Sequence, residues 1–217
     1  MHLILYLLII LLTLYVIHNR GRGYTSQSAP WDPPVIVENV ITRDECAQVI
    51  NLATPSFQRS KVVGQDDPSS VRTSDTAWIS KSDPIAQKIL ARASELTGKP
   101  LSHCEDLQVV RYTPGTYYRE HHDSCCESDT SCTKFSENGG QRVGTLLVYL
   151  NDDFKEGETN FPMTQQKLKT EPGSAIFFRP LGRDDNRCHP NALHAGLPVT
   201  DGVKYVCNAW VREKPLQ

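Results

Sequence analysis

The chain has 217 residues, a length suited to one domain of ordinary size. Hydrophobic residues make up 39% and charged residues 22%, enough for a packed core and too apolar for wholesale disorder. Formal net charge is -2, with no lysine/arginine block interleaved with aromatics, so a nucleic-acid partner has no electrostatic footprint here.

The chain opens on Leu3 to Ile17, an unbroken apolar run without a charge, followed by His18-Asn19-Arg20-Gly21-Arg22. The run is short for a spanning helix, which needs about 20 residues, and sits at the upper limit for the core of a signal peptide. Apolar all round, residues 1–17 are expected to be a hydrophobic leader or membrane anchor. That predicts membrane attachment through residues 3–17, or passage through the endomembrane/secretory system. The basic residues follow the run, which by the positive-inside bias favours a cytoplasmic body, so the orientation stays open. Residues 18–34, rich in Gly, Ser and Pro, read as a linker, and residues 35–217 as the domain.

A short apolar strand, Val35-Ile36-Val37, comes first. Thr42 and Glu45 then form a capping-box pattern, with Ile41 and Cys46 placed as a hydrophobic staple. The helix they open buries Cys46, Val49, Ile50 and Ala53 at helical spacing. Residues 58–77 are polar and read as a mobile loop. Asp83 as N-cap and Pro84 in the first turn begin a second helix that stops before Gly98 and buries Ile85, Ile89, Ala93 and Leu96. From Leu101 onward the pattern changes to short strands between turns, clearest at Leu107 to Tyr112, Thr145 to Leu150, Ala175 to Phe178 and Lys204 to Arg212. No helix of any length is expected after residue 101. The fold class is therefore mainly β with flanking helices: a sandwich or jelly roll buttressed by the N-terminal helices.

Cysteines stand at positions 46, 104, 125, 126, 132, 188 and 207. An odd count leaves at least one thiol unpaired, and connectivity is not readable from spacing. With the leader, this number makes an oxidising compartment plausible.

The residues that carry chemistry are His121-His122-Asp123 and, much later, His194. Two imidazoles and one carboxylate suit a non-haem iron(II) bound on one face, with the other positions open to a co-substrate and oxygen. On an extended strand, residues i and i+2 share a face, so His121 and Asp123 reach one ion while His122 points away. A His-x-Asp triplet alone is weak evidence, since a surface pair is the common reading. Beyond His194, Lys204 opens a strand in which period two places Lys204, Val206, Asn208 and Trp210 on one face. An unpaired lysine facing a barrel interior is expensive. A dicarboxylate chelating the iron at one end resolves this by offering its far carboxylate; the plainer alternative is an edge lysine that snorkels to water.

Several segments resemble the catalytic domain of prolyl 4-hydroxylases, in its short single-domain form found in plants, algae and large algal viruses. They are Arg111-Tyr112-x-x-Gly115-x-x-Tyr118-x-x-His121-x-Asp123, Gly140-Gln141-Arg142-x-Gly144-Thr145 with Tyr149-Leu150-Asn151, and Gly157-Glu158-Thr159-x-Phe161-Pro162. His194-Ala195-Gly196-Leu197-Pro198-Val199, Gly202-x-Lys204 and Asn208-x-Trp210 complete the series, and the likeness spans roughly residues 35–213. The resemblance implies a double-stranded β-helix core, iron(II) held by His121, Asp123 and His194, and 2-oxoglutarate anchored by Lys204 with Tyr112 and Thr159 as hydrogen-bonding partners. It implies that Tyr118, Arg142 and Trp210 face a proline-rich peptide, and that ascorbate supports turnover. O2 and 2-oxoglutarate would be consumed, releasing succinate and CO2. Thr116, Glu156 and the cysteine-rich segment after Cys125 depart from the family pattern and bear on substrate preference. Two alternatives stand beside this reading. One is a hydroxylase of the same class acting on lysyl residues or alkylated bases. The other is a binding module with a structural zinc held by Cys125, Cys126, Cys132, Cys188 and His189.

Overall fold

The computed structural model describes residues 29–60, 71–126, 130–184 and 186–217, so the leader and residues 18–28 of the expected linker lie outside the described residues. The rest of that linker is not free. Trp31 donates its indole N–H to the Arg179 carbonyl at 2.7 Å and stacks on His189, and Asp32 pairs with Arg183. An indole costs too much to leave in water when a carbonyl and a ring lie within reach.

Both predicted helices form. In α1 (Arg43–Ala53), Glu45 donates its backbone N–H to the Thr42 hydroxyl at 3.2 Å, and the Glu45 carboxylate accepts from the Thr42 N–H at 2.8 Å. In α2 (Pro84–Thr97), the Asp83 carboxylate accepts from the N–H groups of Ile85 and Ala86, and Gly98 ends the helix at φ +70. That left-handed angle suits a residue without Cβ.

The main sheet runs in the order β1 (Val35–Val37), β10 (Ala175–Phe178), β6 (Arg142–Tyr149), β13 (Lys204–Arg212), β4 (Leu107–Tyr112), β3 (Asp75–Ile79), β2 (Gln58–Arg59). Its pairings are antiparallel. A second sheet runs β5 (Tyr118–His121), β11 (His194–Gly196), β8 (Thr159–Phe161), β9 (Gln166–Leu168), and β12 (Val199–Gly202) pairs with β7 (Phe154–Glu156). Alternation sorts the main sheet's side chains. Leu107, Val109, Leu146, Val148, Cys207, Ala209 and Val211 pack with both helices, whereas Val110, Tyr112, Leu147, Tyr149 and Val206 turn to the other face. This is the expected jelly-roll core with helices buttressing one side.

Two expectations need correction. Of residues 58–77, 61–70 lie outside the described residues, and the described ends contain β2 and the start of β3, because Ala77 and Ile79 find an apolar partner in the main core that a local reading of polar composition misses. A helix also occurs after residue 101: α3 (Thr130–Ser136), which has no apolar periodicity of its own and is tied down by the Cys125–Cys132 disulfide and by Phe135.

Candidate metal centre

The ends of β5 and β11 meet in register, so that His121 lies opposite His194. β5 stops at His121, and Asp123 sits just past the strand end rather than on it. Still, the three ligand atoms of His121, Asp123 and His194 all lie within 4.8 Å of one another. Each Nε2 is 3.8 Å from a different Asp123 oxygen. His121 donates from Nδ1 to the Arg119 carbonyl at 2.7 Å, and His194 from Nδ1 to the Ala192 carbonyl at 2.9 Å. These bonds fix the tautomer and turn both Nε2 lone pairs to the shared point. Burial, then the neighbouring His194, pushes His121 well below the ordinary histidine range, which keeps it a neutral donor. Burial also pushes the Asp123 carboxyl up, but His194, His121 and Arg142 outweigh it and hold it at about 2. Thr145 donates to Asp123 Oδ2 at 2.7 Å, fixing the carboxylate's rotation. Two imidazoles and a carboxylate so placed fit iron(II) on one face of the ion. His122 falls outside this group.

The cluster opens into a cavity of about 500 Å³ lined by residues from both sheets, among them Lys204, Val206, Asn208 and Trp210, the four that period two assigns to one face of β13. Lys204 is only 2% exposed, and its Nζ donates to the Gly157 carbonyl at 2.6 Å. Gly157 has φ +69, and a Cβ there would meet Val199 at 2.8 Å and the Lys204 stem at 3.4 Å. Burial, opposed by Glu158, brings the Lys204 ammonium down to about 7. An ammonium has three donors, so a carbonyl leaves capacity for an anion in the cavity. Tyr112 and Thr159 line the same cavity. Burial pushes the Tyr112 hydroxyl up, keeping it a donor, and the Thr159 hydroxyl shares a 2.9 Å hydrogen bond with Tyr149.

At the mouth, Tyr118 stacks on His121 with centroids 3.5 Å apart, and the Arg72 guanidinium sits 4.6 Å from the centroid of the Tyr118 ring. Arg142 lies 3.4 Å from the Trp210 ring and is held by both Glu105 oxygens at 2.7 and 2.8 Å. Glu105 also accepts from Arg212 at 2.6 Å. Burial pushes Glu105 up, yet the two guanidinium groups outweigh it and keep it ionised. All three of Tyr118, Arg142 and Trp210 thus line the cavity, but the Arg142 guanidinium already has a carboxylate partner. Glu105, Arg72, Thr145, Trp78 and Phe135 were not singled out from the sequence. For Thr145 the signal was available, since it shares parity with Leu147 and Tyr149 on β6; Glu105 carried none, because its arginine partners are distant in the chain.

The zinc-module alternative does not survive. Cys125 pairs with Cys132 and Cys126 with Cys188 as disulfides, and His189 accepts from the Asn191 N–H and stacks on Trp31. Cys46, Cys104 and Cys207 are buried thiols.

The chain is similar to several known proteins. The model of the 2OG-Fe(II) oxygenase superfamily matches residues 107–212. A protein of Acanthamoeba polyphaga mimivirus named "Putative prolyl 4-hydroxylase" is 42% identical over 192 residues, spanning 88% of this chain and 79% of its own length. Prolyl 4-hydroxylase 1 of Arabidopsis thaliana is 34% identical, over 85% of this chain and 70% of its own. Among solved structures, the 2OG complex of the viral collagen prolyl hydroxylase vCPH from Paramecium bursaria Chlorella virus-1 aligns with TM-score 0.64 at 29% identity, over 83% of this chain and 96% of that one.

Proposed function

We infer what this chain does from the family to which it belongs, the prolyl 4-hydroxylases of the 2OG-Fe(II) oxygenase superfamily. It is an Fe(II)- and 2-oxoglutarate-dependent dioxygenase that hydroxylates prolyl residues in peptides. In this molecule the supporting observation is the convergence of His121, Asp123 and His194 on one point, with a buried ammonium lining the same cavity.

In our reading, His121, Asp123 and His194 hold the iron, and Lys204 pairs with the far carboxylate of 2-oxoglutarate. Tyr112 and Thr159 offer hydroxyls to that carboxylate, which lets it shed water without losing hydrogen bonds. When bound, iron and 2-oxoglutarate supply the oxidising chemistry, with succinate and CO2 as co-products. The chain's own work is positioning. The backbone carbonyls of Arg119 and Ala192 aim the two imidazoles, Thr145 sets the carboxylate, and Glu105 keeps Arg142 over the Trp210 ring.

The substrate we propose is a proline-rich chain in the polyproline II form, which loses little entropy on docking. Support comes from the aromatic wall of Trp78, Tyr118 and Trp210. Against a lysyl substrate, Asp123 is the one acid among the described lining residues, and it is committed to the metal cluster. A cationic side chain would enter beside Arg72, Arg142 and Lys204 with no counter-ion. We also propose ascorbate as the reductant that sustains turnover, and an oxidising endomembrane or secretory compartment, for which the two disulfides speak.

The deciding experiment incubates proline-rich, lysine-containing and proline-free peptides with Fe(II), 2-oxoglutarate and O2, with and without ascorbate. Mass spectrometry should find one added oxygen, confined to proline. Oxygen on lysine, or succinate release with no modified peptide, would overturn the substrate reading.

A further inference from the structure

His122 lines the first cavity but is not part of the iron cluster, and its Nδ1 is buried with no hydrogen-bond partner among the described residues. A buried polar nitrogen left alone needs an explanation. On its side of the chain lies a second, open cavity of about 690 Å³, lined by His122, Cys126 and Cys188. One ring nitrogen of His122 and the two sulfurs lie within 4.8 Å of one another. The two cysteines are joined, so this group is not a metal site in the oxidised chain.

We propose that reduction of the Cys126–Cys188 disulfide creates a second metal site, in which His122, Cys126 and Cys188 bind zinc(II) or a similar soft divalent ion. Two electrons and two protons from a dithiol cleave the S–S bond, giving two thiols and leaving the donor as its own disulfide. The ion then displaces both thiol protons and binds the thiolates. With Zn–S near 2.3 Å and Zn–N near 2.0 Å, tetrahedral ligand atoms stand about 3–4 Å apart. The whole group already lies inside 4.8 Å, so side-chain movements of about 1–2 Å suffice. The open cavity leaves the fourth position to water. Two thiolates and an imidazole favour zinc over iron(II), whereas the neighbouring set of two imidazoles and a carboxylate offers no soft donor. Adjacent residues, His121 and His122, therefore serve two ions of different character.

The site is independent of the iron reading and is tested separately from it. The whole chain is titrated with cobalt(II) under argon, first oxidised, then after treatment with a water-soluble phosphine that is removed before titration. Oxidised protein should bind cobalt without sulfur-to-metal charge-transfer absorption. Reduced protein should take up a further equivalent with that absorption, and zinc should displace it. His122→Ala should weaken this second site more than about tenfold while the first is retained, and Cys126→Ser with Cys188→Ser should remove the absorption. Cys125→Ser with Cys132→Ser should leave it. Reduced protein that stays folded by circular dichroism but shows no such band would overturn the proposal. So would a band that ignores His122→Ala or needs Cys125 and Cys132, and so would loss of the fold on reduction.

Discussion

The two faces of the main sheet are built from the same strands and do opposite work. On the helix side, Leu107, Val109, Leu146, Val148, Cys207, Ala209 and Val211 meet α1 and α2 in a wholly apolar layer. On the other side the same strands present Gln108, Tyr112, Thr145, Lys204, Asn208 and Trp210 among their apolar residues. The first face gains its stability from dehydrated contact, the second gives some of it up. A buried lysine whose pKa has fallen to about 7 is a cost that a bound anion offsets. One residue along a strand separates these roles.

The contrast is sharpest at the metal cluster. Asp123→Ala should abolish peptide-dependent succinate release and iron binding, while the unfolding midpoint changes little; a variant that still turns over would remove Asp123 from the ligand set. On the opposite face, Leu146→Ala should lower stability by about 2–5 kcal/mol in a urea titration, through lost contact and a residual cavity. Its KM for 2-oxoglutarate should stay put, and a shifted KM would mean that the faces are mechanically coupled.

Lys204→Met comes next and should move the two properties in opposite directions. Truncating one partner of a buried charged pair should weaken 2-oxoglutarate binding by about 2 kcal/mol or more, roughly thirtyfold, with iron still bound. Without co-substrate, the same variant should melt higher near neutral pH. The sign follows from linkage. The folded amine titrates near 7 and the unfolded one near 10.5, so between those values the unfolded chain binds more protons. Wild-type stability in the absence of 2-oxoglutarate therefore rises with pH across that window, and the gap to Lys204→Met closes towards its upper end. Affinity for 2-oxoglutarate should fall over the same window, up to about tenfold per pH unit, because a neutral amine must first take up a proton. A pH-independent affinity would mean that some other cation holds the diacid. The smallest effect is expected of Trp78→Ala at the half-exposed mouth, about 1 kcal/mol in the KM for a proline-rich peptide and nothing for 2-oxoglutarate.

Much of this is legible in the sequence. Thr42 with Glu45 and Asp83 with Pro84 and Gly98 marked both helices, because caps are satisfied within a few residues. The long strands β4, β6, β10 and β13 were legible because each carries enough alternating residues to reveal its period. The strands that bring His121, Thr159 and His194 together are three or four residues long and carry no period at all. α3 escaped notice for a related reason: its helix rests on a disulfide and on Phe135 against Arg212, not on an apolar stripe.

By itself the sequence determined which residues share a strand face, where the helices begin, and that Lys204 lies on the same face as Trp210. Only the tertiary structure decided that Asp123, beyond its strand, still reaches the histidines, that Glu105 joins Arg142 to Arg212, and that Cys126 chooses Cys188. Periodicity and capping are settled among near neighbours on the chain. Convergence of distant residues is settled by which sheets pack face to face, and no local pattern records that.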